Sequence, residues 1–165
     1  MRRTSAGGFT LVEIMIVVAI IALLAAIAIP NVLRGRTTAN EAASIGNMRA
    51  LVSALEMYRS VYQEYPTTWQ TNMYDPDPDF GPPSFNIALA NGSDINVQGF
   101  LYDYNRVTAQ TYTLDASPTT VGRTGTRSFF VDESGTIRHC NTAVQGAEAT
   151  VGDPTIDTGG ALANC

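Results

Sequence analysis

Residues 7–30 read GGFTLVEIMIVVAIIALLAAIAIP, and this stretch decides the fold of the N-terminal part of the chain. The segment from Phe9 to Ile29 is apolar except for Thr10 and Glu13. As a helix with a rise of ~1.5 Å per residue, this segment has about the length of the hydrocarbon core of a bilayer. The sequence therefore predicts a membrane-spanning helix, and a buried helix of a soluble domain is the less favoured interpretation.

A secretory signal that is removed on export is the main alternative for this segment. Such signals place their small-residue cleavage site after the apolar run. Here only Ala26–Ala28 approaches such a site, whereas the small residues Ala6–Gly8 precede the run. We therefore expect the apolar segment to be kept in the mature protein.

Charged residues lie on both sides of the apolar run, and one lies within it. Arg2 and Arg3 precede it and Arg34 and Arg36 follow it, so the count of basic residues does not orient the helix across a membrane. An ionised carboxylate costs about 2.5–3.5 kcal/mol at the centre of a membrane helix, and Glu13 lies near one end of the run. Either this carboxylate is functional, or it lies at headgroup level and is simply solvated.

The leader and the run together resemble a known family. Arg2 and Arg3, then Gly7–Glu13 (GGFTLVE) and the apolar run to Pro30, are similar to the class III signal of type IV prepilins and type II secretion pseudopilins. The resemblance implies a leader, residues 1–8, that a prepilin peptidase removes between Gly8 and Phe9. It also implies N-methylation of Phe9.

The same resemblance assigns a role to Glu13 and divides the chain. Glu13 would pair with the Phe9 amine of a neighbouring subunit and fix the register between subunits. Residues 9–30 would form a transmembrane helix that becomes the filament core, and residues 31–165 a periplasmic or extracellular globular domain. The implied partners are further copies of the chain, the prepilin peptidase and methyltransferase, the assembly machinery and the inner membrane.

Helical signals continue beyond the apolar run to about residue 64, where Tyr65 precedes Pro66. Residues 9–64 are therefore predicted to form one helix, with a kink or local unwinding next to Pro30. Steps of three and four predict a buried face and a neighbouring aromatic stripe that packs in the core. The face comprises Ile45, Met48, Val52, Leu55, Arg59 and Tyr62, and the stripe comprises Leu51, Tyr58, Tyr62, Tyr65 and Trp69.

Strand signals follow at residues 99–104, 110–116, 127–131 and 136–139. They predict an antiparallel meander of about four strands with one face on the helix. The fold class is therefore α+β, one long helix followed by a sheet, which is also the pilin layout.

Alternating aspartates at Asp75, Asp77 and Asp79 suggest a calcium loop. An EF-hand does not fit, because Phe80 stands where Gly is needed and Asn86 where the bidentate Glu should be. A solvated acidic loop is the favoured interpretation, and we expect no cofactor.

Two cysteines in an exported domain suggest one disulfide, between Cys140 and Cys165, with two free thiols as the alternative. The pairing would resemble the disulfide-bounded C-terminal region of many pilins. His139 adjoins Cys140, but neighbours in a strand point to opposite faces, so no Cys–His pair is expected.

The composition narrows the function. A formal net charge of −5 argues against nucleic-acid binding, and no enzyme motif is present. The resemblance to prepilins implies a pilus subunit, first a single-pass inner-membrane protein and then part of an extracellular filament. A major pseudopilin of a periplasmic type II secretion filament is the alternative, and a tethered binding module that never polymerises is the second.

Overall fold

The structure is a computed structural model, and it describes residues 8–86, 95–142, 149–156 and 164–165. Of the predicted leader, only Gly8 is among the described residues. The chain divides into two compact units, Met1–Gly35 and Arg36–Cys165. The second unit holds the sheet and the hydrophobic core.

Helix α1 extends from Leu11 to Tyr62, close to the predicted bounds. It ends because Gln63 adopts a left-handed conformation (φ 61°) and donates its N–H to the carbonyl of Arg59 at 2.8 Å. The predicted unwinding at Pro30 is wrong, since α1 is helical through this residue. A proline removes only its own N–H donor, and the turns on both sides keep theirs. A bend at Pro30 stays a prediction.

The buried face of α1 is rotated from the predicted one. It consists of seven residues, each three or four positions from another member of the set: Glu41, Ser44, Met48, Leu51, Ala54, Leu55 and Tyr58. Met48 and Leu55 were predicted correctly, whereas Tyr62 is 48% exposed. The predicted face began at Ile45, so it did not include Glu41 and Ser44, two polar residues that lie within the buried face.

The sheet has five strands, one more than predicted, all antiparallel and in chain order. They are β1 (Ile95–Val97), β2 (Phe100–Arg106), β3 (Tyr112–Pro118), β4 (Arg127–Asp132) and β5 (Arg138–Asn141). The sequence did not reveal β1 because three residues are too few to give an alternating pattern. β1 and β2 are joined by the two residues Gln98 and Gly99, both with positive φ, as a tight hairpin of this length requires.

The core is rich in aromatic side chains, which come from α1, the segment that follows it, and strands β2, β3 and β4. A short helix α2 (Trp69–Tyr74) and a 3₁₀ turn (Pro83–Phe85) follow α1. The indole of Trp69 is buried and donates to the carbonyl of Phe85 at 3.0 Å. The predicted packing of the aromatic stripe in the core is confirmed for Leu51, Tyr58, Tyr65 and Trp69.

The end of α1 is fixed by the hydroxyl of Tyr65. This hydroxyl donates to the carboxylate of Glu56 at 2.6 Å and accepts from Arg59 at 3.2 Å. Burial, with the Glu56 carboxylate as the next cause, raises the pKa of Tyr65 to about 12. The hydroxyl therefore keeps its proton and its donor role at neutral pH.

Candidate functional site

The start of α1 is built by a reciprocal pair of hydrogen bonds between Thr10 and Glu13. The Thr10 hydroxyl accepts from the Glu13 N–H at 3.2 Å, and the Glu13 Oε2 accepts from the Thr10 N–H at 2.8 Å. The Thr10 hydroxyl also lies 2.7 Å from Oε2. This is a capping box, which satisfies backbone donors that a helix start leaves without partners.

This capping box was not among the predictions, although its pattern can be read from the sequence. Thr10-x-x-Glu13 directly before an apolar run is the usual signature. Glu13 therefore has a local role in starting the helix, separate from the predicted pairing with Phe9. That pairing stays a prediction.

The side chains that follow this start are uncovered. Every Val, Leu, Ile, Met and Phe from Phe9 to Leu33 is exposed, from 85% at Phe9 to 47% at Leu33. Fully burying each such side chain is worth about 1.5–3 kcal/mol, and an apolar surface this continuous marks a membrane or protein contact. By length and composition, α1 qualifies as a membrane-crossing helix.

The second unit contains a buried carboxylate on α1. Glu41 is only 6% exposed, and its Oε1 accepts from the N–H and hydroxyl of Thr126 at 2.7 and 2.8 Å. Its Oε2 accepts from the Nε of Arg127 at 2.9 Å and lies 2.9 Å from Nη2. We call Glu41, Thr126 and Arg127 the clasp, because they join α1 to the start of β4.

Further polar side chains of α1 extend this attachment. The Asn40 amide donates to the carbonyl of Thr124 at 3.1 Å. The Asn47 amide and the Ser44 hydroxyl lie 3.2 and 3.1 Å from the Tyr102 hydroxyl. The polar residues in the buried face of α1 are thus paired with loops and strands of the sheet.

Among the described residues, the alternating aspartates of the acidic loop are not part of a metal-binding group. Within residues 8–86, 95–142, 149–156 and 164–165, no three His, Cys, Asp or Glu side chains come together as a metal-binding group. Asp75, Asp77 and Asp79 are exposed. The loop is instead held by its backbone and one aromatic side chain: the Phe80 N–H donates to the Met73 carbonyl at 2.9 Å, and the Tyr74 hydroxyl to the Pro82 carbonyl at 2.7 Å.

The predicted disulfide is present. Cys140 and Cys165 are bonded across a sequence separation of 25, with their Cα atoms 5.3 Å apart. The Cys165 N–H also donates to the carbonyl of Asn141 at 3.0 Å. The bond therefore ties residues 164–165 to the end of β5.

Comparisons with known proteins match part of the chain. Residues 3–29 match the family described as the prokaryotic N-terminal methylation motif. The type II secretion system core protein G of Klebsiella michiganensis is 43% identical over 70 residues, which cover 42% of this chain and 49% of that protein. The protein of that name from Pseudomonas aeruginosa is 40% identical over 70 residues, with the same two coverages, 42% and 49%.

The matched segments cover only part of this chain and only part of each relative. The type II secretion system core protein G of Escherichia coli is 41% identical over 63 residues, 38% of this chain and 43% of that protein. The chain spans about half the length of the curated relatives it matches. No solved structure matches the chain significantly.

Proposed function

The N-terminal segment is that of the type IV pilin and pseudopilin family, and on this premise we propose that the chain is a structural subunit that polymerises into a type IV pilus-like filament. One observation carries the proposal: the apolar side chains of residues 9–33 are uncovered along the whole segment. Such a segment needs lipid or other apolar helices around it, and the family uses both in turn. We assign the chain no catalytic step of its own.

The proposed route begins with insertion into the inner membrane. A prepilin peptidase removes residues 1–8 between Gly8 and Phe9, and the new amine of Phe9 is methylated. A separate machine then moves the subunit from the membrane into the filament. Repeated contacts between unlike surfaces do not close into a ring, so they generate a helical polymer.

Glu13 is proposed to set the register between neighbouring subunits. Among packed apolar helices its carboxylate is removed from water, and the Phe9 amine of a neighbour is a partner of opposite charge. Leaving one member of a buried pair alone costs roughly 3–5 kcal/mol. A subunit placed one step out of register would bear that cost.

A second candidate is a major pseudopilin of a type II secretion system, which forms a periplasmic filament. The names of the relatives favour it. The Cys140–Cys165 disulfide favours the pilin, because it resembles the disulfide-bounded region of many pilins. We therefore keep the pilus subunit as the first candidate. A tethered binding module that never polymerises is the remaining alternative.

Mass spectrometry of the native protein tests the proposal. A methylated Phe9 start in filaments sheared from the cell surface supports the pilus subunit. A methylated Phe9 start confined to the envelope fraction supports the pseudopilin. A mature protein that keeps Met1 contradicts both and supports the tethered module.

Two variants separate the proposed register role of Glu13 from its role in the capping box. Glu13→Val removes both the carboxylate and the cap, whereas Thr10→Ala removes the hydroxyl of the cap and keeps the carboxylate. We expect Glu13→Val to abolish filaments, and Thr10→Ala to retain them with a helix start weakened by about 1 kcal/mol. Equal loss of filaments in both variants would assign the effect to the helix start and reject the register role.

A further inference from the structure

His139 contacts the clasp through Arg127. It is on β5, opposite Phe129 of β4, and only 5% of it is exposed. Its Nδ1 is 3.2 Å from the Nη1 of Arg127, whose other nitrogens hold Glu41. The Arg127 guanidinium also lies over the Phe129 ring, 5.5 Å from its centroid. One guanidinium thus joins α1, β4 and β5.

The geometry fixes the protonation of this histidine. A guanidinium has donors and no acceptor, so the Nδ1 facing Arg127 must be an unprotonated acceptor. The ring is therefore neutral, with its proton on Nε2. Within the described part of the chain, this Nε2 is buried and has no hydrogen-bond partner.

The charges around the ring come from each element packed on it. Arg127 of β4 opposes a positive charge on His139, whereas Glu41 of α1 and Asp153 favour one. Arg138, the neighbour in β5, donates its Nη1 to the Asp153 carbonyl at 3.0 Å. Glu41 already accepts from Arg127 and Thr126. Protonating Nδ1 would place a second cation against Arg127 and remove a hydrogen bond.

We propose that the clasp is acid-sensitive: protonation of His139 at Nδ1 breaks its contact with Arg127 and weakens the attachment of α1 to the sheet at mildly acidic pH. The device needs only Glu41, Arg127 and His139. It does not depend on whether the chain assembles into a pilus or a pseudopilus. Its failure would therefore leave the proposed function untouched.

The sign of the pH effect follows from the environment of the ring. Burial, and then the charge of Arg127, lowers the pKa of His139 below its ordinary 6.5. In the unfolded chain the ring protonates first as the pH falls, so the unfolded state binds more protons. The contribution of His139 to stability is complete above pH 6.5 and is lost as the pH falls from 6.5 to the lowered pKa. Below that pKa both states are protonated and the loss levels off.

The stability test compares the wild type with His139→Asn in the full chain in detergent micelles. The Asn Oδ1 occupies the place of Nδ1, so it accepts from Arg127 but does not titrate in this range. Trp69 is the only tryptophan and is buried, so its fluorescence reports denaturant unfolding. Between pH 7.5 and 5.5 we expect the unfolding constant of the wild type to rise by up to about tenfold, because at pH 5.5 the unfolded ring lies one unit below its pKa of 6.5. The variant should change by much less, and equal pH dependence in both proteins overturns the proposal.

A second measurement needs no variant. His139 is the only histidine, so an imidazole ¹H–¹⁵N spectrum of the full chain, prepared without a histidine tag, contains signals from this ring alone. We expect the Nε2-protonated neutral form at pH 7 and a titration midpoint below 6.5. A protonated Nδ1 at pH 7, or a midpoint at or above 6.5, would contradict the proposal even if the variant did not fold.

Discussion

The two parts of α1 have the same backbone and opposite surroundings. From Phe9 to Leu33 every large apolar side chain is exposed, whereas Met48, Leu51 and Leu55 are completely buried. The first part is apolar on all sides, and the second alternates apolar with polar residues at helical spacing. The difference teaches that helix formation is local, since internal hydrogen bonds satisfy the backbone in either setting. Burial, in contrast, requires a partner surface.

The two parts therefore contribute to stability in different ways. The second part supplies one side of the core of the folded unit, so its side chains are coupled to strands β1 to β4 through that core. The first part satisfies its own backbone, as a segment in lipid must, and its side chains depend on the surrounding medium. Substitutions that are chemically identical should have unequal effects in the two parts.

Leu51→Ala and Leu24→Ala test this difference with the largest expected effect. Leu51 is fully buried, so its truncation should lower the free energy of unfolding by about 2–5 kcal/mol. Leu24 is exposed, so the same change there should leave unfolding of the second unit unchanged. Trp69 fluorescence in detergent with increasing denaturant measures both. Equal destabilisation by the two variants would mean that the parts are energetically one unit.

Reduction of the Cys140–Cys165 disulfide should come next in size. By the chain-entropy account, opening this loop lowers the free energy of unfolding by about 3–4 kcal/mol, near the middle of the range for Leu51→Ala. The effect should be confined to the second unit. Hydrogen exchange with and without reductant checks this: the amides of His139 and Cys165 should exchange faster, and those of residues 14–33 at an unchanged rate. The Cys140→Ser and Cys165→Ser double variant is the control, and faster exchange at residues 14–33 would contradict the separation.

Two glycines in α1 provide the smallest and most closely matched test. Gly35 and Gly46 are both helical, and an added Cβ at either would meet nothing within 4 Å. Alanine is a better helix former than glycine by about 1 kcal/mol. Gly46→Ala should therefore stabilise the second unit by up to that amount and raise its thermal midpoint. Gly35→Ala, in the first unit, should change the thermal midpoint of the second unit by less. A larger gain from Gly35→Ala would move the boundary between the two parts.

Much of this fold could be predicted because its signals are local. The bounds of α1, four of the five strands and the cysteine pair follow from apolar runs, alternation and residue counts. The capping box of Thr10 and Glu13 was also readable and was missed. It was missed because Glu13 was considered only as a charge in a membrane, and not as the third residue of a helix.

The clasp could not be predicted in this way. Glu41 stands among small and polar residues of α1, a setting that indicates a solvated carboxylate. Its partners Thr126 and Arg127 lie 85 and 86 positions away, and no local pattern links them to it. His139 was considered only as a partner for Cys140, and its contact with Arg127 arises only when β4 and β5 pair. Long-range polar contacts of this kind depend on register, which the sequence does not display.

The last strand of the sheet has consequences for how copies of this protein can associate. At the edge of the sheet formed by β5, the His139 N–H donates to the Pro154 carbonyl at 3.0 Å, and the Ile156 N–H donates to the Ile137 carbonyl at 3.1 Å. Residues 154–156 thus take up backbone groups that an open edge strand would offer to another chain, where pairing leads to cross-β aggregation. The edge of the sheet at β5 is therefore closed to cross-β growth by residues of the same chain.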